Sequence, residues 1–410
     1  MLTRILRVAP RYQNGQLKLT MILGLFILFW ALFDSVVTYI TPILIEEQGY
    51  SETILGLIIG SSSLIGGLFD FVLSKFMKRV DFRRFFLLML ALSFLHPIVL
   101  AQAHGFGIWL LAMAIWGLYY DFYGFGIFDY IGRHSSINLH AINFGIIQTF
   151  RSLAGVIGPL IVGLLIVDGI GLKVFAYQWL FLLTSAIFLV TFIVLYNRRP
   201  LELKVRKIKT KPFYLEIKLW RRISKTLLPV LILTLFIFMQ EAFFWTLAPI
   251  FGEGHHWGGL FLAAFTLPSL LLSWYVGAVT KKLGKKRTAF ISLLLGSAIL
   301  SSFALIQNHW WVMILIFVSA CFFSFTLPAI DAAYADYISE TPRVEKEIIA
   351  LEDLAFNIAY IIGPIFAGIL ADIFDIAKAF SIIGIVGVLV AIILLKITPK
   401  SININLTKLS

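Results

Sequence analysis

Two stretches decide the fold: Ser152-Leu-Ala-Gly-Val-Ile-Gly-Pro-Leu-Ile-Val-Gly163 and Asn357-Ile-Ala-Tyr-Ile-Ile-Gly-Pro-Ile-Phe-Ala-Gly368. They align at an offset of 205 residues, half of the 410-residue chain. Two further pairs keep nearly the same offset. Asp34 precedes Pro42 by eight residues and Glu46 follows; Glu241, Pro249 and Glu253 repeat that spacing 207 residues on. Asp129-Tyr-Ile recurs as Asp336-Tyr-Ile, again at 207. Three matches at nearly one offset argue for an internal duplication.

The surroundings of these stretches are apolar. Hydrophobic residues make up 60% of the chain, charged residues 14%, and the mean hydropathy is +0.93. A soluble domain has about 25% charged residues, so lipid is the simpler solvent for this chain. Phe85 to Tyr120 and Thr288 to Ile330 contain no Asp, Glu, Lys or Arg. Each is too long for one span of about 20 residues and fits two. The same reading elsewhere predicts helices near 20–45, 53–75, 85–103, 107–131, 142–167, 175–197, 227–251, 257–281, 287–307, 310–337, 349–371 and 376–397. The expected fold is therefore all-α and membrane-embedded, with twelve spans in two pseudo-symmetric six-helix bundles. Residues 1–197 form the first bundle and 227–410 the second with a short tail. The basic linker 198–226 joins them.

The basic residues support this count. With the N-terminus inside, 31 of 34 Lys and Arg fall at inner ends or loops, as expected because basic residues resist translocation. The net charge of +12 is then a topology signal, and nucleic acid is not an expected partner. Both termini are expected in the cytoplasm, and the chain is expected in the cell membrane as a monomer. In the linker, Phe213, Ile217, Trp220 and Ile223 fall on one helical face, with Lys218, Arg221, Arg222 and Lys225 on the rest. This pattern predicts an interfacial helix on an anionic leaflet. Cys321 is the single cysteine, which excludes an internal disulfide and a cysteine metal cluster. No cofactor or metal is expected; the adjacent His255 and His256 make a poor metal site on their own.

With these motifs on the page, the chain resembles the major facilitator superfamily over essentially its whole length. That family carries Gly-x-Leu-x-Asp with following basic residues between helices 2 and 3. Gly66-Gly-Leu-Phe-Asp70 and Lys75, Lys78 and Arg79 are similar to it. The second copy reads Gly277 to Gly284 and Arg287, with Lys281 where the acid is expected. Gly158-Pro159 is similar to the helix-5 motif of the family's exporters, and Gly363-Pro364 is its repeat. The family's helix-4 arginine motif is absent. The resemblance implies alternating access of a small solute, with helices 1, 4, 7 and 10 around a central cavity. Gly66 and Gly277 would let helices approach closely, and the Gly-Pro pairs would permit kinks.

Ionisable residues inside spans are costly, about 2.5–3.5 kcal/mol on insertion scales, so those retained are candidate functional groups. Asp34, Asp121, Glu241 and Asp331 fall on helices 1, 4, 7 and 10, and Arg151 on helix 5. Asp34 and Glu241, the repeat-related pair, are the leading proton-coupling candidates. A buried carboxyl group favours its neutral form and can load a proton on one side and release it on the other. Arg151 is placed to pair with Asp121, which would make that pair structural. Trp30, Tyr39, Tyr120, Tyr123 and Trp245 are candidate cavity aromatics. The leading reading is a proton-coupled exporter of small amphipathic molecules. Uptake of a sugar, peptide or metabolite is the second reading, and a transport-inactive receptor or scaffold the third. An embedded enzyme would need a catalytic constellation at one membrane face, and none is present in the sequence.

Overall fold

The computed structural model describes residues 11–76, 81–134, 139–166, 172–197, 213–253, 255, 257–272, 275–341 and 344–398. Among these residues there is no strand. The helices are α1 (Arg11–Glu46), α2 (Glu52–Phe76), α3 (Phe82–Ala101), α4 (Phe106–His134), α5 (His140–Leu165) and α6 (Leu172–Asn197). The second set is α7 (Phe213–Phe251), α8 in two pieces (Gly258–Leu272 and Val276–Leu283), α9 (Lys285–Leu300), α10 (His309–Glu340), α11 (Glu345–Phe374) and α12 (Ile376–Ile397). Eleven are long and apolar enough to cross a membrane, and twelve if the two pieces of α8 are one span. The two six-helix sets expected from the repeat are thus present.

The amphipathic segment from Phe213 is not a separate interfacial helix. It continues without a break into the seventh span, giving a 39-residue α7. Nothing between Phe213 and Lys225 interrupts a helix, because no Gly or Pro occurs there. At 1.5 Å per residue α7 is about 58 Å long, roughly twice the hydrocarbon thickness, so its basic first turns extend beyond the apolar layer. Residues 198–212 of the linker lie outside the described residues.

Two compact units are present. The first holds residues up to Thr41, Leu64–Lys207 and Gly254–Gly259. The second holds Pro42–Ser63, Ile208–Glu253 and the chain from Leu260 onward. In the first unit, α1 and α5 meet where Gly158 faces Ser35; a Cβ on that glycine would come within 2.8 Å of the Ser35 Oγ. Ser35 Oγ donates to the Ala31 carbonyl at 2.8 Å and reaches the Ala154 carbonyl at 3.3 Å. In the second unit, α7 and α11 meet where Gly363 faces the Met239 carbonyl and Ala242, at 2.8 and 2.9 Å from a would-be Cβ. Ala242 is the repeat equivalent of Ser35. The Gly-Pro motifs therefore provide close helix approach as well as a proline.

Further glycines explain the exchanged segments. In the second unit the first half of α2 lies on α11. A Cβ on Gly56 would meet the Pro364 backbone carbon at 2.7 Å, and one on Gly60 the Ile361 carbonyl oxygen at 2.7 Å. In the first unit a Cβ on Gly163 would stand 2.5 Å from the Gly259 nitrogen. By contrast a Cβ on Gly277 meets nothing within 4 Å among the described residues. Gly284 has φ +85°, a left-handed conformation that glycine adopts without strain; it turns α8 into α9.

The repeated Asp-Tyr-Ile acquires a role here. Asp129 Oδ2 accepts from the Phe82 nitrogen at 3.0 Å and so fixes the start of α3. Asp336 pairs with Lys285 at 2.6 Å, and the same ammonium donates to the Ala332 carbonyl at 3.0 Å. Lys285 opens α9, the equivalent of α3. The second contact is exposed and contributes at most about 1 kcal/mol.

Packing of α12 on the end of α9 gives a direct test. A Cβ on Gly384 would stand 2.5 Å from the Ser301 backbone nitrogen, whereas one on Gly67 meets nothing within 4 Å among the described residues. Gly384→Val should lower stability by about 1–3 kcal/mol, the cost of overpacking. Gly67→Ala should leave the thermal unfolding midpoint in detergent unchanged. Equal midpoints for the two variants would reject this packing.

Candidate functional site

In α4, Trp116, Tyr119, Tyr120 and Tyr123 are spaced i, i+3, i+4 and i+7, so they share one helical face. That face meets α1 at Asp34, which is only 7% exposed. Trp116 Nε1 donates to Asp34 Oδ1 at 3.2 Å, and Tyr119 Oη donates to the same oxygen at 2.8 Å. Tyr120 Oη donates to Asp34 Oδ2. Three donors thus converge on one carboxylate. A hydrogen bond to a charged group contributes about 1.5–3 kcal/mol, so three of them outweigh an insertion cost of about 2.5–3.5 kcal/mol.

Arg151 on α5 completes the constellation. Its guanidinium lies over the Tyr120 ring at 5.6 Å and the Tyr123 ring at 5.4 Å. Its positive charge also acts on Asp34. The network therefore runs from Asp34 through the tyrosines to Arg151. Asp121, the expected partner of Arg151, faces α2: its carboxylate oxygens are 3.2 Å from where a Gly66 Cβ would stand.

Behind this network lies a packed aromatic wall. Trp30 stacks on Tyr123 at 4.9 Å and meets Tyr119 and Tyr120 edge-on at 5.8 and 5.6 Å. Its Nε1 donates to Ser93 Oγ at 3.0 Å. Trp30 and Tyr39, both named from sequence as cavity aromatics, are fully buried. Trp30 supports the site from behind, while Tyr120 and Arg151 are only half-buried. His96 packs edge-on to Tyr119 at 5.8 Å.

The second unit presents different chemistry. Glu241 and Trp245, one helical turn apart on α7, are both half-buried. Asp331 on α10 is exposed although much protein surrounds it, as a recessed residue is. Glu352 on α11 feels the charges of both Asp331 and Asp353. No described residue hydrogen-bonds or ion-pairs with these three carboxylates. Nearby, Thr234 Oγ1 and Tyr334 Oη are 3.0 Å apart. Glu352 was missed from sequence because it stands near a helix start among other charges. Trp116 and Tyr119 were missed as Asp34 ligands, although their heptad-like spacing was a usable signal.

Asp70 and the basic residues Lys75, Lys78 and Arg79 have side chains outside the described residues. Arg287 is exposed at the start of α9.

Two helical units with buried ionisable groups inside their spans define a membrane transporter. The Major Facilitator Superfamily model matches residues 21–305 and again 230–406. The chain belongs to that superfamily, and it is a transporter rather than an enzyme. Solved structures agree in fold. The nucleoside transporter NupG is similar with a TM-score of 0.68 at 12% identity, over 95% of this chain and 100% of that one. A bacterial homologue of the human lysosomal transporter Spinster, inward-facing and unoccupied, gives 0.68 at 13% identity, over 95% and 96%. The peptide transporter POT in complex with sulfate gives 0.68 at 15% identity, over 93% and 94%. Among curated proteins none matches the chain in sequence.

The three donors to Asp34 can be tested singly. Tyr119→Phe removes one of them in a fully buried place and should lower stability by about 1–3 kcal/mol, the cost of an unmet buried acceptor. Asp34→Asn together with Tyr119→Phe should cost less than the sum of the two single changes in thermal unfolding. Strict additivity would show that the contact is not made.

Proposed function

We propose that this chain is a proton-coupled secondary transporter that exports small amphipathic molecules, and that Asp34 is a proton-carrying group. The observation that carries the reading is the Asp34–tyrosine–Arg151 network, held inside the membrane-spanning part of the first unit. With Asp34 ionised, the site contains one negative and one positive charge. A proton on Asp34 cancels the first, weakens the hold of the three donors, and leaves Arg151 as the net charge. Transport coupling needs such a one-charge change, tied to which side chains hold which. The aromatic faces of Tyr120 and Tyr123 beside a cation suit a solute with both apolar and polar parts.

Carboxylates of the second unit complement this site. Asp331, Glu352 and Asp353 lack donors among the described residues, and the charges of Asp331 and Asp353 act on Glu352, so a proton on Glu352 relieves that repulsion. Glu241 is the repeat equivalent of Asp34 and remains a second coupling candidate. Glycine-mediated crossings of α2 on α11 and of α5 on α8 are the contacts that alternating access would have to break and remake. Export rests on the Gly158-Pro159 motif, which resembles that of exporters in the family. The working unit in this proposal is a monomer in the cell membrane with both termini in the cytoplasm.

Proteoliposomes with an imposed pH gradient and a panel of amphipathic solutes test the reading. Wild-type protein should move solute against its gradient, with proton movement the other way. Asp34→Asn should insert and fold yet lose pH-driven accumulation by about tenfold or more, equivalent to about 1.4 kcal/mol of coupling. Glu241→Gln should weaken it as well. Wild-type coupling in both variants would remove these residues from the mechanism.

A further inference from the structure

The Asp34 network leans on a tryptophan that is itself held from another helix. Trp30 stands one turn before Asp34 on α1, so the two share a helical face. Its indole stacks on Tyr123 at 4.9 Å and meets Tyr119 and Tyr120 edge-on at 5.8 and 5.6 Å. Tyr119 and Tyr120 are two of the three donors to Asp34. Tyr120 and Tyr123 carry the Arg151 guanidinium over their rings. One indole therefore borders every tyrosine of the network.

That indole is fixed by α3. Trp30 Nε1 donates to Ser93 Oγ at 3.0 Å, and Ser93 Oγ donates its own proton to the Met89 carbonyl at 2.9 Å. The second bond uses the one hydroxyl proton, so the serine oxygen faces the indole as an acceptor. Trp30 and Ser93 are both fully buried, so bulk water offers no substitute acceptor. At the positions 207 residues on from Trp30, Trp116, Tyr119, Tyr120 and Tyr123 stand Ile237, Phe323, Thr326, Leu327 and Ile330. The indole and the Asp34 donors thus occur together in the first repeat and are missing together from the second.

We propose that Ser93 is a positioning residue for proton loading: through Trp30 it fixes the tyrosines and so sets how firmly Asp34 keeps its charge. The inference rests on the reading of Asp34 as a proton-carrying group. It adds that α3, which supplies none of the three donors, tunes that group.

The titratable and charged groups around Asp34 are Tyr119, Tyr120 and Tyr123 from α4 and Arg151 from α5. One layer behind, His96 from α3 packs edge-on to Tyr119 at 5.8 Å. Ser93 does not titrate, so a change there acts through geometry. Without its hydroxyl, the indole N–H is a buried donor with no acceptor, which is costly. The ring turns, the tyrosines packed on it follow, and their hydroxyls are drawn off Asp34. Hydrogen bonds to a carboxylate favour its ionised form, so weaker bonds let the proton load at higher pH.

Infrared difference spectra of the reconstituted protein, taken along a pH titration without solute, read this directly. The protonated-carboxyl band that Asp34→Asn removes belongs to Asp34. In Ser93→Ala the midpoint of that band should move up by about one pH unit, a tenfold change in proton affinity. Trp30→Phe removes the donor that needs Ser93, so in that background Ser93→Ala should give no further movement. An unmoved midpoint in Ser93→Ala, or an equal movement in both backgrounds, would overturn the positioning role. Absence of an Asp34 band at every pH would overturn the proton site and this role together. Failure of transport alone would show in the proteoliposome experiment instead, as absent flux with the band shift intact.

Discussion

Helices α1 and α5 come together at Ser35 and Gly158, and α7 and α11 at Ala242 and Gly363. Lipid offers no hydrophobic drive for helices to associate, so close backbone approach and polar contacts must do it. A side chain at Gly158 would enter the space of Ser35, and one at Gly363 the space of Met239 and Ala242. These two crossings set the distance between the helices that carry Asp34 and Arg151 in one unit and Glu241 and Phe356 in the other. Ser35 is also satisfied within this crossing, which leaves no unmet hydroxyl at the point of closest approach.

The two units use a common frame for different chemistry. At the position of Arg151 the second unit has Phe356, which packs on Phe238 at 4.8 Å and on Tyr360 at 4.7 Å. A cation over tyrosines in one unit corresponds to an aromatic cluster in the other. Asp34 is held by three donors, whereas Glu352 feels the like charges of Asp331 and Asp353. One unit thus presents a charge-balanced network and the other an excess of acid. Duplication supplied the helices, and divergence at a few interior positions supplied the difference.

Helix ends also decide the chemistry of an acid. Asp372 accepts from the Glu52 and Thr53 backbone nitrogens at 2.9 Å each, at the positive start of α2, where an anion is favoured.

The sequence by itself determined the class, the number of spans and the duplication. Hydrophobic run lengths, the alternation of basic loops and the offset near 206 are all local or periodic properties, readable along one dimension. It also named Asp34 and Arg151, because a charge inside a span is conspicuous wherever it packs. Tertiary structure alone decided their partners. The rotation of α4 turns its tyrosine face toward Asp34 and brings Asp121 beside Gly66. Likewise Gly56, Gly60 and Gly368 lie in tight crossings that nothing local announces. Which face of a helix meets which neighbour depends on contacts among residues far apart in sequence, 82 to 86 positions at Asp34, and no local pattern encodes them.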